Sequence, residues 1–234
     1  MKSFQYYDKI AHFYDQMYED LIWKTLRKAV KFYIEETLKY KNFKTVLDVG
    51  TGTGYWIDFF LNKGYEVVAV EPSKNMIEIA KKKFNKGVEF FNVKIEDFPE
   101  TRKFDIINIQ GDVLSYVENL EKVLEKLNRL LVKKGIIFAT VDSFYFMSKL
   151  IKKYGTNYEL EKFDKTHVTT VGSQYGQFES RCFTVEDIKK LEDFGFKVLE
   201  IRGCGISDNF KQEIENSKIK IEEAEHIYFC LEKR

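Results

Sequence analysis

The sequence is short of cysteine, of long apolar runs and of charge of one sign. Its three cysteines, Cys182, Cys204 and Cys230, lack metal-ligand spacing and do not resemble a secreted disulfide framework, and we predict no metal site. The 38 basic residues nearly balance the 37 acidic ones, so the net charge gives no case for a nucleic acid partner. No apolar stretch could span a bilayer, and no signal-peptide core is present. We therefore expect a cytoplasmic protein without a membrane span.

What is present is a regular alternation of short apolar strands with amphipathic helices. Two helical patterns occupy residues 1–40, and the first strand pattern, "KTVLDVG", follows them. Six more strand patterns come later, namely "YEVVAVEP", "VEFFNVKI", "FDIINIQ", "GIIFATVD", "FKVLEIRG" and "HIYFCLEK". Nearly continuous apolar strands between helices are typical of a sheet that is covered on both faces. The chain is therefore predicted to be one α/β domain with a doubly wound, mostly parallel, seven-stranded sheet.

Residues 143–183 interrupt the alternation between the fifth strand and a helix that begins at Thr184. The segment opens with a helical pattern, and "HVTTVGSQYGQFESRCF" then alternates like a β-hairpin that turns near Gly172 and Ser173. An insertion after the carboxyl edge of a parallel sheet lies above the ligand crevice. We therefore expect residues 143–183 to form a cap over the functional site.

The stretch "VLDVGTGTGYW" ends the first strand with glycines at alternate positions, Gly50, Gly52 and Gly54. A dinucleotide-binding turn spaces its glycines G-x-G-x-x-G and holds pyrophosphate at a helix N-terminus. Here the third glycine comes one position early and Asp48 precedes the turn, which suits a positively charged ligand better than pyrophosphate. Glu71 ends the second strand, where an acid can accept hydrogen bonds from ribose hydroxyls. The pattern therefore indicates a nucleoside that carries an amino acid instead of phosphates.

These residues, together with "YYDKIAHFYD" near the N-terminus, resemble the class I S-adenosylmethionine-dependent methyltransferases of small molecules. "GDVLSYVEN", "ATVDSFY" and the predicted hairpin also resemble a bacterial group related to ubiquinone and menaquinone biosynthesis. The resemblance extends over nearly the whole chain. It implies a Rossmann-like methyltransferase fold, S-adenosylmethionine as cofactor with S-adenosylhomocysteine as product, and a small-molecule methyl acceptor.

The resemblance also implies a role for each residue near the methionine part of the cofactor. Gly50 and Gly52 would let that part lie against the backbone, and Asp48 would support its amino group. Tyr14 would reach its carboxylate. Gly111, with the preceding glutamine, would line the side that faces the sulfonium.

The nucleoside end follows from the same resemblance. Glu71 would hold the ribose, and Met76 would cover the adenine. Many relatives carry an Asp-Ala pair after the third strand, where this sequence has Lys94 and Ile95. Because lysine cannot accept a hydrogen bond from the adenine amino group, Glu96 would do so instead, with the backbone amide of Ile95 on the ring.

Two residues are candidates for catalysis. His167 lies in the expected cap and belongs to the residue type that titrates near neutral pH. Asp112 follows the fourth strand and could orient an amine or a phenol. A base is needed only if the acceptor must lose a proton, because orientation and proximity can supply most of the rate of methyl transfer. An aromatic chamber that excludes water could be built by Tyr7, Tyr14, Tyr18, Tyr116 and Tyr175.

Two other functions remain open at this point. An RNA or protein methyltransferase would need a basic open groove, to which Lys81, Lys133, Lys152 and Lys165 could contribute. A non-catalytic S-adenosylmethionine-binding protein would keep the glycine turn and Glu71 without turnover. The fourth strand ends in "NIQGDVLSY" and lacks the N-P-P-Y of amino-directed DNA and protein-glutamine enzymes, which disfavours macromolecular acceptors.

Overall fold

The computed structural model describes all 234 residues, whose strands form one seven-stranded sheet and a separate hairpin. The strands are β1 (Thr45–Val49), β2 (Glu66–Val70), β3 (Val88–Phe91), β4 (Phe104–Ile109), β5 (Leu131–Asp142), β6 (Val168–Ser173), β7 (Gly176–Arg181), β8 (Phe196–Cys204) and β9 (His226–Lys233). The α-helices are α1 (Ser3–Ile10), α2 (Tyr14–Met17), α3 (Leu21–Leu38), α4 (Tyr55–Leu61), α5 (Lys74–Lys83), α6 (Val113–Tyr116), α7 (Leu120–Leu130), α8 (Phe144–Tyr154), α9 (Asn157–Thr166), α10 (Val185–Lys189) and α11 (Phe210–Asn216).

The main sheet has the strand order β3-β2-β1-β4-β5-β9-β8. Strands β1 to β5 are parallel, whereas β9 runs antiparallel to both β5 and β8. The predicted doubly wound, mostly parallel, seven-stranded sheet is therefore confirmed. Because β9 is reversed, His226 at its start pairs with Asp142 at the end of β5, and both lie at the carboxyl edge of the parallel strands.

Two apolar cores cover the two faces of this sheet. The larger contains Leu47, Ile107 and Ile137 beneath α7, and the other contains Val46 and Ile106 beneath α3 and α4. Neighbouring strand residues thus point to opposite faces and are buried on both. Truncating such a side chain to alanine typically costs about 2–5 kcal/mol, so the core holds the strand ends in fixed positions.

The predicted first helix, over residues 6–17, is broken in the structure. It consists of α1, a 3₁₀ turn at Ala11–Phe13 and the short α2. The second predicted helix is α3, which begins where the Asp20 side chain accepts a hydrogen bond from the Trp23 amide at 2.9 Å. The break lets the chain bend around the carboxyl edge of the sheet, with Tyr6 and Ile10 buried against Met76.

Residues 143–183 form α8, α9 and the hairpin of β6 and β7. The sequence patterns did not predict α9, since Phe163 is its only buried residue. The hairpin turns at Gln174 and Tyr175, slightly beyond the predicted position. It packs against α1, where the Tyr6 hydroxyl donates a hydrogen bond to Ser173 Oγ at 2.9 Å. None of the helices combines the length and the apolar character needed to cross a bilayer.

Candidate functional site

A cleft at the carboxyl ends of β1, β2 and β4, here called the first chamber, contains about 880 Å³ of space between its lining residues. The lining brings together most of the residues predicted to bind the cofactor, namely Tyr14, Gly50, Gly52, Glu71, Met76, Ile95, Glu96 and Gly111. Asp48 is the exception, because it is buried behind the glycine turn.

The alternate glycines of this turn have different tasks. All have positive φ, a conformation that side chains rarely adopt. A Cβ atom on Gly50 would lie 2.3 Å from Val113, and one on Gly54 would lie 2.7 Å from Phe84, so close packing requires both glycines. A Cβ atom on Gly52 would meet only Tyr14, at 3.9 Å, and would point into open space. Gly52 therefore keeps the backbone open toward the chamber.

Glu71 is held rigidly at the end of β2. Its carboxylate accepts hydrogen bonds from the amide of Gly52 at 2.9 Å and from the amide of Ser73 at 2.8 Å. Burial raises the pKa of Glu71 to about 7, although these two hydrogen bonds oppose the shift. Each carboxylate oxygen has a further lone pair, so Glu71 can still accept hydrogen bonds from a ligand.

Asp48 organises the floor of the chamber from behind. It accepts hydrogen bonds from Thr51 Oγ1 and from Asn108 Nδ2, the latter at 2.7 Å, and burial raises its pKa to about 6. Asn108 Oδ1 in turn accepts from Gln110 Nε2 at 3.2 Å. The other amide atom, Gln110 Oε1, is buried and has no hydrogen-bond partner. Gln110 therefore offers an unused acceptor to a ligand, a feature that spacing in the sequence did not reveal.

The far end of the first chamber is closed by charged groups. Lys94 donates a hydrogen bond to Glu118 at 2.9 Å, and Lys2 lies 2.8 Å from the same carboxylate. Lys94 is thus engaged away from any ligand, while the neighbouring Ile95 and Glu96 line the chamber as expected. Met76 lines it as well, although 99% of its surface is buried.

The N-terminal motif "YYDKIAHFYD" covers the site. It contains the pair Tyr-Asp twice, and the tyrosines and the aspartates have separate roles. Tyr7 and Tyr14 line the first chamber. Asp8 accepts hydrogen bonds from Ser73 Oγ and from the amide of Asn75, both at 2.8 Å. The second aspartate of the motif accepts from Lys83 at 2.6 Å. The acids therefore fasten the roof to α5, and the tyrosines close the space beneath it.

A second chamber adjoins the first and contains about 810 Å³ of space. Gln110 and Gly111 line both chambers, so the two meet at the end of β4. Seven of its 18 lining residues are tyrosine or tryptophan, namely Tyr7, Tyr14, Tyr18, Trp23, Tyr55, Trp56 and Tyr116. The structure thus brings together four of the five tyrosines considered for an aromatic wall. Tyr175 lies apart, with its ring 5.1 Å from that of Phe13.

Acidic and basic side chains complete the second chamber. Asp112 and His226 line it, and Asp112 Oδ2 lies 3.0 Å from His226 Nδ1. Asp142, at the end of β5, places Oδ1 3.7 Å from the same nitrogen. Burial disfavours a charged His226, but the two neighbouring acids outweigh that effect and raise its pKa to about 9. Burial and Asp112 raise the pKa of Asp142 to about 6.

His167 lies outside both chambers, contrary to the expectation that it serves as a base. It ends α9 in a left-handed backbone conformation, and its Nδ1 lies 3.0 Å from Asp187 Oδ2. The groove that it lines also contains Cys182 and Lys190. The histidine of the site is instead His226, which sequence analysis missed because only the reversed direction of β9 brings it there.

Lysines give no support to a basic groove. Lys81, Lys133, Lys152 and Lys165 lie on α5, β5, α8 and α9, respectively. None of them lines either chamber. Lys81 pairs with Glu78 on its own helix. The expectation of an open groove for RNA or protein therefore finds no counterpart among these four residues.

Comparisons with known proteins agree with this geometry. A family model described as a methyltransferase domain matches residues 22–201. The chain is 29% identical over 215 residues to an uncharacterised protein of Methanocaldococcus jannaschii, covering 88% of this chain and 80% of that protein. It is 26% identical over 177 residues to the ubiquinone biosynthesis O-methyltransferase of Pelagibacter ubique, covering 72% of this chain and 68% of that enzyme. Three further curated relatives are matched over 61% to 66% of their own length.

A solved structure extends the agreement to the fold. An S-adenosylmethionine-dependent methyltransferase from Clostridium acetobutylicum superposes with a TM-score of 0.68 at 22% sequence identity. The superposition covers 97% of this chain and 98% of that one. The Rossmann-like fold predicted above is therefore confirmed.

Proposed function

This chain belongs to the family of methyltransferase-domain proteins, and from that premise we propose that it transfers the methyl group of S-adenosylmethionine to a small acceptor molecule. The observation that carries the proposal is the pair of adjoining chambers. Gln110 and Gly111 line both, so a ligand in one chamber would face a ligand in the other. This arrangement suits a reaction in which one group passes between two bound molecules.

The first chamber offers the groups that S-adenosylmethionine requires. Glu71 presents free lone pairs to ribose hydroxyls, and Gln110 Oε1 presents an unpaired acceptor to an ammonium group. Gly52 and Gly111 leave open space beside the backbone, since a Cβ atom on Gly111 would meet nothing within 4 Å. When bound, S-adenosylmethionine supplies a methyl group that its sulfonium has already activated.

The task of the protein is then mainly to orient the two reactants. Alignment for an in-line displacement can supply most of the rate, because it removes the entropic cost of bringing the partners together. Tyr14 lines both chambers beside Gly52 and would restrict how both ligands lie. Asp112, at the wall of the second chamber, would orient a hydroxyl or amino group of the acceptor and accept its proton where one must leave.

The second chamber favours a small and flat acceptor. Tyrosine and tryptophan side chains line it, and such aromatic walls stack well against planar groups. Burial raises the pKa of Tyr7, Tyr18 and Tyr116, so these phenols stay neutral near pH 7. The Pelagibacter relative, which is named a ubiquinone biosynthesis O-methyltransferase, supports a small-molecule acceptor without identifying it.

We also propose that residues 143–183 support the roof of the second chamber from outside. Phe178 of β7 packs with its ring centroid 5.8 Å from that of Tyr7 and 5.1 Å from that of Tyr116. Phe178→Leu should therefore raise the KM for the acceptor several-fold while the affinity for S-adenosylhomocysteine stays unchanged. Equal weakening of acceptor binding and of S-adenosylhomocysteine binding would instead indicate a general structural role.

The proposal is tested first by calorimetric titration of S-adenosylmethionine and S-adenosylhomocysteine into the purified protein. Donor-dependent methylation of a fractionated metabolite extract, with the product identified by mass, would then find the acceptor. Absence of binding of either nucleoside would contradict the proposal outright. Label that appears only in RNA or protein would support the macromolecular alternative, and binding without donor consumption would support a non-catalytic binding protein.

A further inference from the structure

Three metal-ligating side chains from distant parts of the chain meet at the edge of the second chamber. Asp112 follows β4, Asp142 ends β5 and His226 begins β9. One ligand atom from each lies within 4.8 Å of the other two. Asp112 and His226 line the chamber itself, so whatever the cluster binds would face the acceptor.

The distances within the cluster fit coordination of one ion. Two ligand atoms that are each about 2.1 Å from an ion lie about 3.0–3.5 Å apart in octahedral or tetrahedral geometry. His226 Nδ1 is 3.0 Å from Asp112 Oδ2 and 3.7 Å from Asp142 Oδ1. The two carboxylates lie within 4.8 Å of each other, so movement of Asp142 toward the other two residues would bring all three atoms to bonding distance.

The cluster also contains a buried polar atom without a partner. Asp112 Oδ1 has no hydrogen-bond partner, and the Asp112 side chain is only 5% exposed. His226 Nδ1 contacts Asp112 Oδ2 at 3.0 Å, but not in good hydrogen-bond geometry. Asp142, in contrast, is oriented by Ser180, whose hydroxyl donates to Oδ2 at 2.5 Å. Such an outer hydrogen bond is typical of carboxylates that hold a metal. Buried polar atoms are normally paired, so the unpartnered Asp112 Oδ1 indicates a missing partner.

We propose that Asp112, Asp142 and His226 bind one divalent cation at the wall of the second chamber. A divalent cation would displace the proton that the two acids favour on His226, and the two carboxylates with the neutral imidazole would then balance its charge. Mixed oxygen and nitrogen ligands favour Mn²⁺ or Zn²⁺ over Ca²⁺, which prefers six to eight oxygen ligands. Three protein ligands leave at least one coordination position open toward the chamber.

This inference deepens the proposed function and rests on it where it concerns the acceptor. A cation at this wall would attract an acceptor oxygen and lower the pKa of its hydroxyl group. With Asp112 engaged in holding the cation, the hydroxyl proton would pass to water and not to Asp112. The oxygen would then form its bond to the methyl carbon as the carbon–sulfur bond breaks, leaving S-adenosylhomocysteine. The acceptor class is therefore a hydroxylated molecule.

The test is a titration of Mn²⁺ alone, and separately Zn²⁺ alone, into the full-length metal-stripped protein. Calorimetry and the electron paramagnetic resonance signal of Mn²⁺ should report one site. Asp142→Asn, which keeps the shape of the side chain, should weaken Mn²⁺ binding about 100-fold. Ser180→Ala, which removes only the orienting hydrogen bond, should weaken it about tenfold. Mn²⁺ should also raise the Tm of the wild-type protein, and this measurement requires no variant.

A matched control uses the other histidine–aspartate contact of the chain. His167→Gln removes a histidine that lies 3.0 Å from an aspartate outside both chambers, and it should leave Mn²⁺ affinity unchanged. Absence of cation binding, or binding that Asp142→Asn and Ser180→Ala leave intact, would overturn the inference. Because S-adenosylhomocysteine binding is measured on the same samples, loss of the cation site alone is distinguishable from failure of the proposed function.

Discussion

The two chambers differ in how the chain builds them. The residues that define the first follow β1 and β2, from Gly50 to Glu71, and are close in sequence. The second shares the glycine turn, but it is completed by side chains from the N-terminal helices, from α4, from the end of β4 and from the start of β9. A site whose residues lie close together in the sequence can be predicted from a short motif. A site built from distant side chains becomes visible only when the directions of the strands are known.

The largest effects that would sharpen this comparison come from two glycines of the turn. Gly50→Ala would bring a Cβ atom within 2.3 Å of Val113, so left-handed strain and overpacking should together cost about 3 kcal/mol of stability. Gly52→Ala meets no such obstacle and should cost only about 1–2 kcal/mol. Its methyl group would instead enter the first chamber and should weaken S-adenosylhomocysteine binding more than tenfold.

Thermal unfolding and calorimetry on the same two variants separate these effects. We expect Gly50→Ala to lower Tm more than Gly52→Ala does. Relative to its loss of stability, Gly52→Ala should have the larger loss of S-adenosylhomocysteine affinity. The reverse ranking would mean that Gly50, and not Gly52, forms the face on which the methionine moiety lies.

Glu71→Gln should have the next largest effect. The amide group would turn a donor toward the amides of Gly52 or Ser73, which now donate to the carboxylate. Loss of these charge-assisted hydrogen bonds, and of those to ribose, should cost about 2 kcal/mol, or roughly 30-fold in affinity. Glu78→Gln, at an exposed position of α5, is the matched control. An equal loss of S-adenosylhomocysteine affinity in both variants would mean that Glu71 does not contact the ligand.

The pH dependence of donor binding should be smaller, and its sign follows from the raised pKa of Glu71. Burial raises this pKa from 4.5 to about 7, so the folded state binds a proton more readily than the unfolded state. This group's contribution to stability is therefore fully present below about pH 4.5 and is lost as the pH rises toward 7.

Donor binding should show the opposite trend, because ribose hydroxyls require the ionised carboxylate as acceptor. Affinity for S-adenosylhomocysteine should rise with pH and level off above 7, being about tenfold weaker at pH 6 than on the plateau. Calorimetry across pH 5.5 to 8.5 would measure this change. A profile that keeps the same slope in Glu71→Gln would assign the titration to another group, for which Asp48, with a pKa near 6, is the first candidate.

The sequence allowed much of the first chamber to be predicted, and the physical reasons are specific. Gly50, Gly52 and Glu71 follow directly from strand ends in a parallel sheet, where backbone constraints restrict the residue types. The glutamine before Gly111 was expected to line the site, but the unpaired acceptor at Gln110 Oε1 could not be predicted, because it depends on a chain of hydrogen bonds through Asn108. His226 was missed for a topological reason, since a strand pattern carries no information about its direction.

The smallest expected effect concerns the histidine that the sequence did suggest. His167→Gln removes a partly buried contact with Asp187 outside both chambers, and we expect a stability loss of about 1 kcal/mol. Because His167 lines neither chamber, kcat and donor affinity should both stay within about twofold of the wild-type values. Steady-state kinetics on the identified acceptor would measure this. A loss of kcat above tenfold with unchanged S-adenosylhomocysteine affinity would mean that the cap moves in solution and carries His167 to the acceptor, and the second chamber would then be incomplete without it.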